Sequence, residues 1–329
     1  RDRSPSRGLG DVYKRQGHIR ENAAESMRTA LLAYLGEKEK LDLEFKDQLD
    51  NGDSISVQIT IEKGSDPPDT CCAKVNFSGT SSQMKGNQNA PVAVTKAAVL
   101  YVFRLLIDKD IPLNSGCLEP IKIIVPEGSL LKPEDSAAVV GGNTETSQRI
   151  TDVLIGALKL AGASQGTMNN FVFGEDGGSG KQYYETIAGG SGACKGHNGA
   201  SGVQVHMTNT RATDPEVLEH RFPEIRLEHF GLRKNSGGDG RYKGGNGTIR
   251  KVTFLEKRKV SILSERRKYP PYGMAGGLPG KSGKNELIRT SGKLEPLAGK
   301  VERVVKSGET IIIETPGGGG YGAPLKKTN

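Results

Sequence analysis

Tryptophan is absent from the 329-residue sequence, and aromatic residues make up only 5% of it. Proteins that hold single-stranded nucleic acid stack bases on interleaved aromatics, so this composition argues against such a partner. Cysteine is scarce as well. Cys71, Cys72, Cys117 and Cys194 include no C-x-x-C pair to hold zinc, and adjacent Cys71 and Cys72 are poorly placed to bridge. This usage fits a reducing compartment, and a cytoplasmic protein is expected. No apolar run approaches the roughly 18 residues that a membrane span needs. The best candidate, residues 92–107, is broken by Lys96 and Arg104, so no membrane partner is expected.

A concentrated charge of one sign is also missing. The net charge is +8, and residues 1–16 alone hold five basic and two acidic groups. Elsewhere the densest basic patch is Glu265-Arg266-Arg267-Lys268, which is too little for a nucleic-acid face. Residues 1–16 open on Arg1 and have neither an apolar h-region nor a helical period, so they are not a signal peptide. They read as a non-native adapter, disordered and outside the fold, and the missing initiator methionine points to a chain entered mid-protein.

Glycine is what the sequence has in excess: 45 residues, about 14% against a usual usage of about 7%. Thirty-five of them lie in residues 141–329 without a G-X-Y period, which excludes collagen and predicts tight turns and close main-chain approaches.

Periodicity predicts a helix over 17–35, with Ile19, Ala23, Met27, Ala30, Leu31 and Tyr34 on one stripe and Gly36 as its stop. A charged connector leads to a strand over 55–61, which pairs as a hairpin with 73–77. Pro91 begins an apolar core helix over 92–107, and residues 121–125 form a short buried strand. The clearest helix starts near Asn143 or Thr144 and places Ile150, Val153, Leu154, Ala157, Leu158 and Ala161 on one face. Short strands are expected at 170–173, 183–188, 203–207, 248–254, 260–263, 286–288 and 310–314. The predicted fold is α/β in the broad sense, a mixed α+β domain over 17–329. Its 17–165 part is mixed α/β, and its 166–325 part is β-rich and glycine-rich.

Two glycine motifs fail as nucleotide loops. Ala275–Ser282 lacks the first glycine of a Walker A loop and its strand-to-helix flanks, and Gly317–Gly322 has no helix after it. Gly141-Gly142-Asn143 opens the strongest helix, where backbone N–H groups suit a phosphate or carboxylate, or where Asn143 is simply a cap. The segment 206–216 packs His206, Asn209, Thr210, Arg211, Asp214 and Glu216 into eleven residues. There His206 is placed to act as a base and Arg211 as a carboxylate fork; alternatively, Asp214-Pro215-Glu216 caps a short helix and His206 is a satisfied, half-buried side chain. Glu185 either sits buried with a partner or alternates outward on its strand. Cys194 reads as packing.

Six blocks, taken together, carry a resemblance. Gly86-Asn-Gln-Asn-Ala-Pro, Val139-Val-Gly-Gly-Asn with Thr146-Ser-Gln-Arg, Ala163-Ser-Gln-Gly-Thr-Met-Asn-Asn, Tyr183-Tyr-Glu-Thr, His206-Met-Thr-Asn-Thr and Thr315-Pro-Gly-Gly-Gly-Gly-Tyr-Gly resemble the hydantoinase B/oxoprolinase family in order and spacing over residues 17–325. Thr210-Arg-Ala-Thr-Asp-Pro-Glu is similar to its oxoprolinase branch. The resemblance implies ATP-dependent opening of 5-oxo-L-proline to L-glutamate, a step of glutathione metabolism. Opening of N-methylhydantoin, a related carboxylase subunit, and a non-catalytic scaffold for a kinase-like half are the alternatives.

The resemblance further implies that ATP with magnesium is bound by a kinase-like half outside this chain, fused or separate. A divalent metal would be held by an upstream Asp/His block, so no metal ligands are expected here, and the fragment alone is expected to be inactive. A homo-oligomer is expected. In this frame His206, Glu185 and Asp214 are the expected acid/base groups. Asn209, Thr210 and Arg211 are expected to bind 5-oxoproline or its phosphorylated form, with Gly141, Gly142 and Asn143 at the phosphate. The glycines are expected to crowd main chain around that small anionic ring.

Overall fold

In the computed structural model, residues 5–64, 71–175 and 180–325 are described. Residues 1–4 of the expected adapter lie outside them.

Helix α1 (Pro5–Leu35) includes the predicted 17–35 helix but starts earlier, so residues 5–16, read from sequence as outside the fold, form its first turns. Residues 12–22 are exposed. The packed part begins at Ala23, and Met27, Leu31 and Leu35 follow it into the core. Gly36 ends the helix at φ +65°, the left-handed conformation that glycine adopts without Cβ strain.

The expected charged connector is strand β1 (Lys40–Gln48). Leu41, Leu43 and Phe45 alternate with charged residues, and the whole strand pairs in unbroken antiparallel register with β2 (Ser54–Lys63). Lys40, Asp42, Glu44 and Lys46 face outward while Asp47 turns inward, and this overall polarity hid the period-2 pattern. Strand β3 (Cys71–Asn76) pairs with β2 as the hairpin reading requires, and β4 (Ile121–Ile124) joins β3 in parallel. Helix α2 (Val92–Arg104) follows Pro91, which sits just before the helix instead of inside it. One π-helical turn, Gly142–Thr146, leads into helix α3 (Ser147–Ala157). These elements close the first core around Met27, Ile59, Val102, Phe103, Leu154 and their neighbours.

The second half contains β5 (Asn170–Gly174), β6 (Gln182–Thr186), α4 (Pro215–Arg221), β7 (Ile225–Leu232), β8 (Thr248–Phe254) and β9 (Arg258–Leu263). It continues with β10 (Lys284–Ile288), β11 (Leu294–Leu297), β12 (Lys300–Val305) and β13 (Thr310–Glu314). Two antiparallel sheets form, ordered β11-β10-β13-β8-β7 and β12-β9-β5-β6. Phe171, Phe173, Tyr183, Val260 and Ile262 of one sheet share a core with Val252, Phe254, Leu287, Ile311 and Ile313 of the other, which makes a sandwich. The fold is thus mixed α and β, with α1, α2 and α3 in the first half and the short α4 in the otherwise β-rich second half. The expected strand at 203–207 is a correction: only one bridge forms there, between Gly189 and Val203. β7, β11 and β12 had no sequence signal strong enough to predict them.

The glycines hold a third layer together. Segments near residues 162, 190, 200, 238–245, 274–280 and 316–322 hydrogen-bond to one another through main chain: Gly318 N donates to Gly245 O, Gly319 N to Ala163 O and Gly320 N to Leu278 O. A Cβ added at Gly192 would lie 1.8 Å from Gly162 O, and one at Gly318 1.9 Å from Ser191 O. The expected crowding of main chain is real, but what it surrounds is other main chain.

Candidate functional site: the buried face of helix α3

Every residue of α3 is buried. Ile150, Val153, Leu154 and Ala157 enter the first core, as the apolar stripe predicts. The opposite side is polar and equally buried, because the sandwich half covers it. Glu145, Gln148 and Asp152 follow at spacings of three and four, so they share one helical face.

Glu145 Oε1 accepts from Asn170 Nδ2 at 2.7 Å and from Met168 N at 3.2 Å. Its Oε2 is buried without a partner. Burial pushes this carboxyl up to about 8, against a hydrogen bond from Thr167 and with help from the Glu265 charge. The sign of the consequence is fixed by proton counting. Between about 4.5 and about 8 the folded chain keeps a proton that the unfolded chain has released, so Glu145 lowers stability as pH rises through that window. Glu145→Gln keeps both accepted bonds, and its unfolding free energy should pass above that of the wild type beyond pH 8, by an amount on the order of a few kcal/mol. Melts at pH 5 and pH 9 check it: an equal change at both would mean that the carboxyl is ionised in the fold.

Gln148 Nε2 reaches Val205 O and Thr208 Oγ1, which anchors the loop before α4. Asp152 Oδ2 is 2.7 Å from Arg266 Nη2, and Asp47 Oδ2 is 2.7 Å from the same nitrogen. Arg149 lies between Asp47 at 3.4 Å and Glu265 at 3.6 Å. Asp50, in the β1–β2 turn, accepts backbone N–H groups of Arg267 and Lys268. The basic cluster seen in sequence is therefore mostly interior: Arg266 is fully buried, Arg267 partly so, and only Lys268 is exposed.

His206 Nε2 lies 3.6 Å from Asp152 Oδ1, and Nδ1 lies 3.4 Å from the Tyr101 hydroxyl of α2. Burial works against ionising Asp152, but the His206 hydrogen bond and the Arg266 and Arg149 charges hold its pKa below the usual range. His206 has φ +54°, a left-handed backbone that a non-glycine residue keeps only when its surroundings impose it.

The other expected site residues separate into groups. Glu185 is buried and held bidentately by Arg250 at 2.9 Å to each oxygen, with a third bond from the Tyr183 hydroxyl. Burial raises its pKa, and the Arg250 charge opposes the rise. Thr210 touches Thr186 through their hydroxyls, and Thr213 bonds Tyr183, so the 206–214 segment runs along β6. Asn209, Arg211 and Asp214 are exposed, and Asp214 sits at the N-cap of α4. Gly141 and Gly142 are packed shut: Gly141 N donates to Asn87 O, and a Cβ at Gly142 would lie 2.2 Å from Asn89 O, while Asn143 is exposed. A cleft of about 610 Å³ opens beside that helix start, lined by Thr144, Asn170, Tyr184, Leu263, Lys300 and others.

Sequence reasoning missed Tyr101, Glu145, Asp152 and Arg266. The spacing of Glu145, Gln148 and Asp152 opposite an apolar stripe was the signal available. Among the described residues no three His, Cys, Asp or Glu side chains are grouped to hold a metal. Among the described residues no helix follows Ala275–Ser282, and its Gly277 and Gly280 are wedged against Gly320 and Gly317, so an ATP–magnesium site does not fit there. No helix among the described residues is long and apolar enough to cross a membrane.

Residues 6–324 match the hydantoinase B/oxoprolinase family. The chain belongs to that family. Members similar to it include 5-oxoprolinase 1 of Arabidopsis thaliana, 46% identical over 97% of this chain and 25% of that protein, and 5-oxoprolinase of Saccharomyces cerevisiae, 44% identical over 95% and 25%. The chain spans about a quarter of the length of these relatives. Its fold matches the ATP-dependent caprolactamase of Pseudomonas jessenii with a TM-score of 0.80 at 20% identity, over 97% of this chain and 58% of that one.

Proposed function

We propose that this chain is the ring-opening portion of an ATP-dependent cyclic-amide hydrolase that converts 5-oxo-L-proline to L-glutamate. The observation that carries the reading is the pairing of His206 with buried Asp152, in a segment whose next residues are exposed polar groups. A lactam is a poor electrophile, so ATP would activate its carbonyl, and that step belongs to a kinase-like half outside these residues. His206 supplies acid/base chemistry, Arg211 grips the substrate carboxylate, and Asn209 and Thr210 orient the ring. Glu185 and Asp214 support the segment, and Gly141, Gly142 and Asn143 flank the phosphate. Four free cysteines agree with a cytoplasmic enzyme of the glutathione cycle, assembled as a homo-oligomer.

The full-length protein with ATP and 5-oxoproline should release glutamate and phosphate. Turnover of N-methylhydantoin alone would instead favour a hydantoinase role. Arg211 is exposed and makes no ion pair among the described residues. Arg211→Ala should therefore raise KM for 5-oxoproline about 10- to 100-fold with a smaller effect on kcat. An unchanged KM would remove the clamp.

A further inference from the structure

The two ring nitrogens of His206 face different partners: Nε2 is buried against Asp152, and Nδ1 faces the Tyr101 hydroxyl. A proton that leaves His206 at Nδ1 has the Tyr101 hydroxyl as its neighbour. The Tyr101 ring is only partly buried, and it meets the imidazole edge-on with centroids 5.9 Å apart. Both links are longer than a good hydrogen bond, as is common before a ligand tightens a catalytic relay.

We propose that Tyr101 is a catalytic residue, the group that hands a proton to the leaving ring nitrogen, with His206 behind it and Asp152 positioning His206. The inference rests on the ring-opening reading above. In the step, the C–N bond of the tetrahedral adduct breaks and its electron pair stays on nitrogen. Nitrogen takes the Tyr101 hydroxyl proton, Tyr101 regains one from Nδ1 of protonated His206, and solvent re-protonates the imidazole for the next turnover. The buried Asp152 carboxylate, 3.6 Å from Nε2, orients the imidazole.

The charged and titratable groups around this relay are Asp152 and Arg149 from α3, Arg266 from the turn after β9, Asp47 from β1, and Tyr272, whose hydroxyl bonds the Asp152 carbonyl. Each carboxylate among them has an arginine beside it.

The test uses the full-length protein. Tyr101→Phe keeps the ring and its packing, so the melting temperature should hold. Its kcat for glutamate formation should fall about 100- to 10,000-fold, with KM within about twofold. His206→Gln should fall similarly, and the double variant no further than the worse single one, because the groups act as one unit. A Tyr101→Phe protein with wild-type kcat, or one that loses KM and stability together, would overturn the proposal while leaving the ring-opening reading intact. Wild-type protein that opens no cyclic amide would overturn both.

Discussion

Replacing Gly319 by alanine is expected to abolish the native fold rather than weaken it. A Cβ there would stand 1.8 Å from Tyr272 O and 2.6 Å from its carbonyl carbon, distances at which two backbones cannot coexist. The obstacle is main chain, not the end of a flexible side chain, so no rotamer change relieves it. The neighbouring segments have no room to part: Gly319 N donates to Ala163 O while Ala193 N donates to Gly319 O, so any shift breaks bonds on both sides. Each buried amide left unpaired costs about 1–3 kcal/mol, and several would be lost together. Gly17→Ala is the control. It lies on the exposed stretch of α1 with nothing within 4 Å, and alanine should help there by up to about 1 kcal/mol. Soluble expression and a cooperative melt for Gly17→Ala, with neither for Gly319→Ala, is the expected pair of results. A folded Gly319→Ala protein would show that the glycine layer is looser than its contacts require.

Arg266→Leu should cost about 3–5 kcal/mol, the usual penalty for stranding buried charge. One guanidinium nitrogen serves both Asp47, on the first sheet, and Asp152, on α3, while its own chain segment belongs to the sandwich half. Without it Asp47 keeps only Arg149 at 3.4 Å, and Asp152 keeps His206 at 3.6 Å. Asp152 would then lose one of the charges holding its pKa down, and would take up a proton at higher pH than before. The variant's urea midpoint should therefore drop at pH 7 and recover in part toward acid, where the stranded carboxylates neutralise. An unfolding free energy within about 0.5 kcal/mol of the wild type would mean that the network is dispensable. Arg266→Lys should lose less, since it keeps the charge but not the planar fork.

The two regions hardest to alter were legible in the sequence to different degrees. The glycine count announced close main-chain approaches, and the strands at 248–254 and 310–314 could be bounded to the residue because β-branched Val, Ile and Thr dominate both. The helix at 147–157 was legible from its apolar stripe. Six motif blocks were enough to name the family, since order and spacing along a chain survive without any knowledge of contacts.

Several features were beyond reach for a common reason. β1 looked like a connector because its charges outnumber its apolar residues, and pairing with β2 is what makes it a strand. Arg266 looked like surface charge because a side chain's depth depends on which distant carboxylates arrive beside it, here from positions more than a hundred residues earlier. His206 stood out as a polar residue among others, yet nothing nearby in sequence names Asp152 or Tyr101 as its partners. Local periodicity is written in neighbouring residues, so the sequence by itself determined the elements, the glycine excess and the family. Burial and pairing of charges depend on how two halves close on each other. That closure alone decided that the second face of α3 is an interior ionic layer, and that the histidine lies between a carboxylate and a phenol.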